Sequence, residues 1–159
     1  MIHIVKATEI NEVDALALKG ILHMKANNIP QWDESYPRAI HFMNDIRHAS
    51  LYGYYVEEKL VGMACIDQTC HSSYYDLPWT VENSVFVHRV VVDPSVQRQG
   101  IAKALFQHAE RLAKEWSATS VKVDTHPENP IMLQFLQQQG FHQVGMLDAI
   151  YRIGFEKKV

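Results

Sequence analysis

The part of this sequence best equipped for chemistry is Val90-Val91-Val92-Asp93-Pro94-Ser95-Val96-Gln97-Arg98-Gln99-Gly100-Ile101-Ala102. A valine-rich strand leads into a short loop, then into a helix whose first turn carries Gly100 and Ala102. The first amides of a helix have no intrahelical partners, and the macrodipole is positive there. Small residues let phosphates approach that backbone, and Arg98 can add a charge-assisted contact. The segment is built to receive an anion. It is neither the dinucleotide fingerprint G-x-G-x-x-G, since the loop has a single glycine, nor the nucleotide P-loop G-x-x-x-x-G-K-[ST]. An ordinary strand-to-helix turn, with Gly100 and Ala102 small only for packing, fits the same spacing. Nine histidines raise the question of a metal. His41 and His48 are not at ligand spacing, and no His-x-x-x-His pair falls on an expected helix, so no metal site is read. Cys65 and Cys70 are too few for a disulfide framework or a zinc site and read as buried or half-buried free thiols.

The elements that must position this loop follow from periodicity. Ile2 to Lys6 alternates like a short strand. Ile10, Val13, Ala17, Leu18, Ile21, Leu22 and Met24 recur at helical spacing, with Thr8 or Asn11 as the cap and Asn27-Asn28-Ile29-Pro30 as the stop. A second helix is expected from about Tyr36 to His48, burying Ile40, Met43 and Ile46. Leu51 to Glu57 and Leu60 to Asp67 form a hairpin around Glu58-Lys59. Cys70 to Thr80 reads as an irregular connection. Ser84 to Val92 is a β-branched strand closed by Pro94, which cannot donate to a ladder. A long amphipathic helix spans about Gln99 to Trp116. Val121 to Asp124 is a strand, Pro130 to Gln139 a helix closed by Gly140, and Phe141 to Gly145 with Ala149 to Phe155 a last strand pair.

The chain has 159 residues, which suits one domain spanning 1–159. Its formal charge of −3 argues against a nucleic-acid partner. No apolar run approaches the ~20 residues that cross a bilayer. Met1-Ile2-His3-Ile4-Val5-Lys6 is no signal sequence, so a cytoplasmic location is expected.

Gln97-x-x-Gly100-x-Ala102 after a valine-rich strand resembles Q/R-x-x-G-x-G/A, the acetyl-CoA pyrophosphate loop of the GNAT acetyltransferases. Asn129 at a helix start and Gly140-Phe141 at its end resemble that family's second landmark, at a fitting separation. The element order, with two helices after the first strand, is also the family's. The resemblance is strong from about Val85 to Phe141 and rests on topology before that. It implies a mixed α/β (α+β) fold. A mostly antiparallel, twisted sheet of about seven strands is flanked by four helices, and its parallel fourth and fifth strands splay apart.

The resemblance also implies an activity: acetyl transfer from acetyl-CoA to a primary amine of a small molecule, amino acid or peptide, by direct attack in a ternary complex without a metal. Val90, Val91 and Val92 would lie along the pantetheine arm. The amides of Gln97, Arg98, Gln99, Gly100, Ile101, Ala102 and Lys103 would hold the pyrophosphate, and Asn129 would meet the cofactor near its pantetheine or thiol end. A strand-four amide would stabilise the oxyanion. Phe86 occupies the position of the glutamate base found in some members. His88, two residues on and on the same face by alternation, is a candidate base, with a structural histidine as the other reading. Leu136 stands where the family's acid is a tyrosine. His126, after Asp124-Thr125, is a second candidate, with a turn role as its alternative. Tyr151 is a weaker one. Trp32 and Tyr36 could wall the acceptor site, and Asp33 or Glu34 attract a cationic amine, with a surface loop anchored by one aromatic as the other reading. The competing reading is a non-catalytic acyl-CoA-binding module or sensor. A homodimer through exposed strands or helices is compatible with the sequence.

Overall fold

The β-branched runs become strands and the amphipathic stretches become helices, in the expected order. The computed structural model describes residues 1–79 and 83–159. In chain order the elements are β1 (Ile2–Ile4), α1 (Ile10–Ala26), α2 (Ala39–Arg47), β2 (Leu51–Val56), β3 (Lys59–Asp67), β4 (Ser84–Val92), α3 (Ile101–Glu115), β5 (Ser120–Thr125), α4 (Pro130–Gln138), β6 (His142–Leu147) and β7 (Arg152–Lys158). The strands form one seven-stranded sheet in the order β1-β2-β3-β4-β5-β7-β6. Every neighbouring pair is antiparallel except β4 and β5. A parallel pair needs a crossover, and α3 supplies it.

Helices cover both faces of the sheet, and β3 is buried from Leu60 to Ile66, on both sides. On one face Val85, Val87, Val121 and Val123 pack with Leu105, Phe106 and Ala109 of α3 and Leu136 of α4. On the other, Val13, Leu16 and Ala17 of α1 and Phe42 of α2 pack against Leu51, Met63 and Val91. A third, smaller cluster joins Tyr74, Phe86 and Leu147.

Local departures from expectation have physical causes. Neither Thr8 nor Asn11 caps α1. The helix is entered through a 3₁₀ turn at Ala7–Glu9, where the Lys6 amide donates to the Glu9 carboxylate at 2.8 Å. The β2–β3 hairpin turns at Glu57 and Glu58, both with positive φ (47° and 64°), and β3 begins at Lys59. Helix α2 is shorter than expected and rotated. Ile40 is 77% exposed, whereas Phe42 and Asp45 are buried, because Asp45 is drawn inward by an arginine on β4. The connection after β3 is irregular, as expected, apart from a single turn at Ser72–Tyr74, but it plants Tyr74 in the core. Thr80, the last residue of that expected connection, lies outside the described residues.

Both cysteines are free thiols; Cys65 is buried, within the expectation, whereas Cys70 is exposed, outside it. Burial, reinforced by the charge of Asp45, pushes the Cys65 thiol up to about 12. A thiolate is the reactive form, so a disulfide reagent should modify one thiol per native chain, at Cys70, and the second only in denaturant. Two fast-reacting thiols in the native protein would contradict the packing of β3. Among the described residues no helix is long and apolar enough to cross a membrane, and no group of His, Cys, Asp or Glu side chains could hold a metal ion.

Candidate active site

The loop after β4 is held rigidly from three sides. The Asp93 amide donates to the Val61 carbonyl of β3 at 2.8 Å. The Asp93 carboxylate accepts from the amide and hydroxyl of Ser95 at 2.9 and 2.8 Å and from Lys19 Nζ of α1 at 2.9 Å. Burial opposes its charge, yet these donors hold its pKa at about 2. The chain then reverses through Arg98 and Gly100, with φ of 63° and 80°, and enters α3. The first intrahelical bond runs from Ala104 N–H to Gly100 O at 2.9 Å, leaving the amides ahead of it to an external acceptor. A side chain at Gly100 would meet nothing within 4 Å, so the space in front of this turn is open. At Gly62 of β3 the opposite holds. A Cβ there would lie 2.6 Å from the Ile101 side chain, so glycine lets the start of α3 seat against the sheet.

Strands β4 and β5 pair from Ser84↔Ser120 to Val87↔Val123 and then part. Beyond that point β4 follows β3 to Val92, and β5 follows β7 to Thr125. Just past the parting, β4 carries a bulge between its pairings Cys65↔His88 and Met63↔Val91, with Arg89 at φ 49°. A bulge adds one residue and shifts the alternation. Val85, Val87, Val90 and Val92 therefore all pack on the α3 face. His88 and Arg89 both turn to the α2 face, where His88 stacks parallel to Phe86 and Arg89 reaches α2.

The open wedge continues into a cavity of about 850 Å³. Its lining starts at Gln97, Arg98, Gly100, Ile101, Ala102 and Lys103, passes Val90, Val91, Val92 and Asn129, and ends among His88, Trp32 and Tyr36. A cavity this large is in the usual range for a ligand site. Of the residues singled out from sequence, these are brought together. Gln99, His126, Asp33 and Glu34 do not line the cavity. Nδ1 of His126 accepts from the Glu128 amide at 3.0 Å in the turn before α4, and its ring meets Tyr151 edge to face. Glu34 is paired with Lys25 on the surface at 2.8 Å, and Asp33 accepts from the amide and hydroxyl of Ser35. Asn129 caps α4 by accepting from the Met132 amide at 3.1 Å. Its Nδ2 donates to Gln31 Oε1 at 2.8 Å.

Several groups at the inner end were not marked by the sequence. Gln31 Oε1 accepts from Thr125 Oγ1 at 3.0 Å as well as from Asn129, and Gln31 O accepts from Arg152 at 2.9 Å. One glutamine thus pins the α1–α2 loop to β5, α4 and β7. Arg89 grips Asp45 with two bonds, at 2.8 and 2.5 Å, and donates to the Tyr36 hydroxyl at 3.2 Å, which fixes that ring at this end of the cavity. Burial works against the Arg89 charge, but Asp45 more than offsets it and raises the guanidinium pKa. The Tyr74 hydroxyl donates to Asp124. His88 lies with its side chain 10% exposed, 4.0 Å from Asp67 and edge to face with His71. Burial, then the charges of His71 and Arg89, push its pKa down to about 3. Among the described residues its Nε2 has no hydrogen-bond partner. His88 therefore sits where alternation placed it, but as a neutral ring that binds a proton poorly. The sequence signal for the missed groups was a charge inside an expected strand, Arg89 within the valine-rich β4 and Asp124 near the end of β5.

Comparison with known proteins agrees with this geometry. The profile of the acetyltransferase (GNAT) family matches residues 20–141. No curated protein matches the sequence. The fold is similar to that of a GNAT-family acetyltransferase from Streptococcus agalactiae, with TM-score 0.85, 19% identity and coverage of 100% of this chain and 95% of the other. It is similar to an acetyltransferase from Staphylococcus aureus, with TM-score 0.77, 24% identity and coverage of 99% and 98%. It is also similar to the PaiA N-acetyltransferase of Thermoplasma acidophilum, solved in complex with coenzyme A, with TM-score 0.80, 16% identity and coverage of 100% and 98%. With the left-handed turn at Gly100, the parted β4 and β5, and a family match over most of its length, this chain belongs to the GNAT acetyltransferase family.

Proposed function

We propose that this chain is an N-acetyltransferase that carries the acetyl group of acetyl-CoA to a primary amine within a ternary complex, with residues 1–159 acting as one catalytic domain. The observation that carries this reading is the continuity of the cavity. It joins an anion-binding helix start to a pocket walled by Trp32 and Tyr36, through the gap between β4 and β5. The residues present suit the donor. The amides from Gln97 to Lys103 would hold the pyrophosphate, with open space in front of Gly100. Val90, Val91 and Val92 would flank the pantetheine arm, and Asn129 would lie near the thiol. Acetyl-CoA supplies the activated acyl group. The chain's task is to hold that group at the gap, exclude water and present a neutral amine to it. Free thiols fit a reducing compartment, and we assign the protein to the cytoplasm.

A second reading, a non-catalytic acyl-CoA-binding module, is favoured by Leu136. It is fully buried where the family's tyrosine acid stands, so α4 offers no acid to the leaving thiolate. Calorimetry with acetyl-CoA, run beside a thiol assay against small amines, amino acids and short peptides, separates the two. The enzyme reading expects binding plus release of CoA thiol with one amine class, above the thiol contributed by Cys70. Binding with no release across the panel favours the module, and no binding sinks both.

A further inference from the structure

The acceptor amine reaches the site as an ammonium and must lose a proton before it attacks. His88 is too acidic when protonated for that task, and the acid position on α4 is an apolar residue. The strands themselves offer another group. Pairing of β4 with β5 ends at Val123, so Asp124 is the first β5 residue past the parting. Val121 and Val123 point into the α3-side core, and by alternation Asp124 points to the acceptor side. It lines the cavity together with His71, Tyr74 and His88. Tyr74 is 1% exposed and wedged against Phe86 and Trp79, with its hydroxyl directed onto the Asp124 carboxylate.

We propose that Asp124 is the catalytic base that takes the proton from the acceptor ammonium, and that Tyr74 is its positioning residue. This rests on the acetyltransferase reading. One ammonium proton passes to the Asp124 carboxylate and on to solvent. The freed nitrogen forms the C–N bond at the thioester carbonyl carbon as the C–S bond breaks. The second nitrogen proton neutralises the departing thiolate, so N-acetylated amine and CoA thiol are the products. The chain thereby does without both the glutamate of strand four and the tyrosine of α4.

The charged and titratable groups facing Asp124 are Tyr74 and His71 from the connection after β3, His88 and Arg89 from β4, and Arg152 from β7. Burial raises the Asp124 pKa, and the Tyr74 hydroxyl and the charges of Arg152, His71 and Arg89 only partly offset it. A carboxylate with a raised pKa holds a captured proton better than an exposed one. The ionised form is the active one, so kcat/KM should rise with pH through that pKa, above the ordinary carboxylate range.

The test compares Asp124→Asn, Tyr74→Phe and His88→Gln with wild type, using the amine the panel identifies and, separately, hydroxylamine, which is largely neutral at the assay pH. Asp124→Asn should lower kcat/KM for the ordinary amine by about 100- to 10,000-fold, leave acetyl-CoA affinity unchanged and retain hydroxylamine acetylation. Tyr74→Phe removes a donor that stabilises the carboxylate, so the acid limb should move to higher pH. His88→Gln should leave that limb in place. A readout independent of turnover is carboxyl ¹³C NMR of the free protein, in which Asp124 should titrate above the usual range, and higher still in Tyr74→Phe. An Asp124→Asn enzyme with the wild-type acid limb, or an Asp124 that titrates as an exposed carboxylate, overturns the proposal and leaves the acetyltransferase reading standing. Failure of wild type to bind acetyl-CoA removes both.

Discussion

Gly100→Glu should weaken acetyl-CoA binding by at least ~100-fold while the protein remains folded. The glycine sits at φ 80° at the N-terminus of α3, and a side chain there projects into open space that a pyrophosphate would fill. A carboxylate about 4 Å from a phosphate charge is repelled by roughly 1 kcal/mol in bulk water and by up to about 4 kcal/mol at the effective dielectric of a protein surface. A shift of 1.4 kcal/mol is tenfold in affinity, and the side chain also occupies the site. Gly100→Ala separates charge from backbone strain. It carries the left-handed penalty of about 1–2 kcal/mol without the charge, and should keep affinity within about tenfold of wild type. Calorimetry on both variants decides the matter. Equal losses in Ala and Glu would assign the effect to strain, and wild-type affinity in Gly100→Glu would place the donor elsewhere.

Asp45→Ala should destabilise the protein by about 3–5 kcal/mol, a large part of the stability of a typical domain. The loss strands the Arg89 guanidinium, only 16% exposed at the side chain, with the Tyr36 hydroxyl still accepting from it. For a chain of this size that corresponds to a fall in melting temperature of roughly 6–20 °C. The double variant Asp45→Leu with Arg89→Leu removes both charges and should recover much of the loss, since a buried pair is often replaceable by apolar side chains. Thermal unfolding of the two variants beside wild type checks this. A single variant as stable as the parent would mean that Arg89 finds water or another acceptor, and the bidentate pair would then contribute little to seating α2. Activity is not the readout, because Arg89 lines the cavity and orients Tyr36.

Both predictions rest on different kinds of information. The Gly100 turn was legible because every part of it is local. A valine run, Asp93-Pro94 and a glycine at the helix start fall within a dozen or so residues, and backbone chemistry over that span is set by neighbours in the chain. The seat of Asp45 was not legible. Apolar spacing in α2 suggested that Ile40 faced inward, yet Ile40 is 77% exposed and Asp45 is buried. The pairing that turns the helix spans 44 residues of sequence.

The sequence alone determined the order of the elements, the glycine-containing turn ahead of α3 and the helix start at Asn129, and the family resemblance added the parallel pairing of β4 with β5. Hydrophobic period and turn chemistry are properties of adjacent residues, and a resemblance in those residues carries the family with it. Only the tertiary structure decided how the inner end of the cavity is furnished. The bulge at Arg89 depends on the register between β3 and β4, which puts His88 and Arg89 on one face. Tyr74 comes from a segment with no periodicity, across 50 residues, to reach Asp124. The neutrality of His88 follows first from burial and then from the charges of His71, on another segment, and of Arg89 beside it, and no local pattern records the burial. Proton affinity depends on what surrounds a group in space, and that environment exists only once the sheet, the helices and the connecting loops have closed around it.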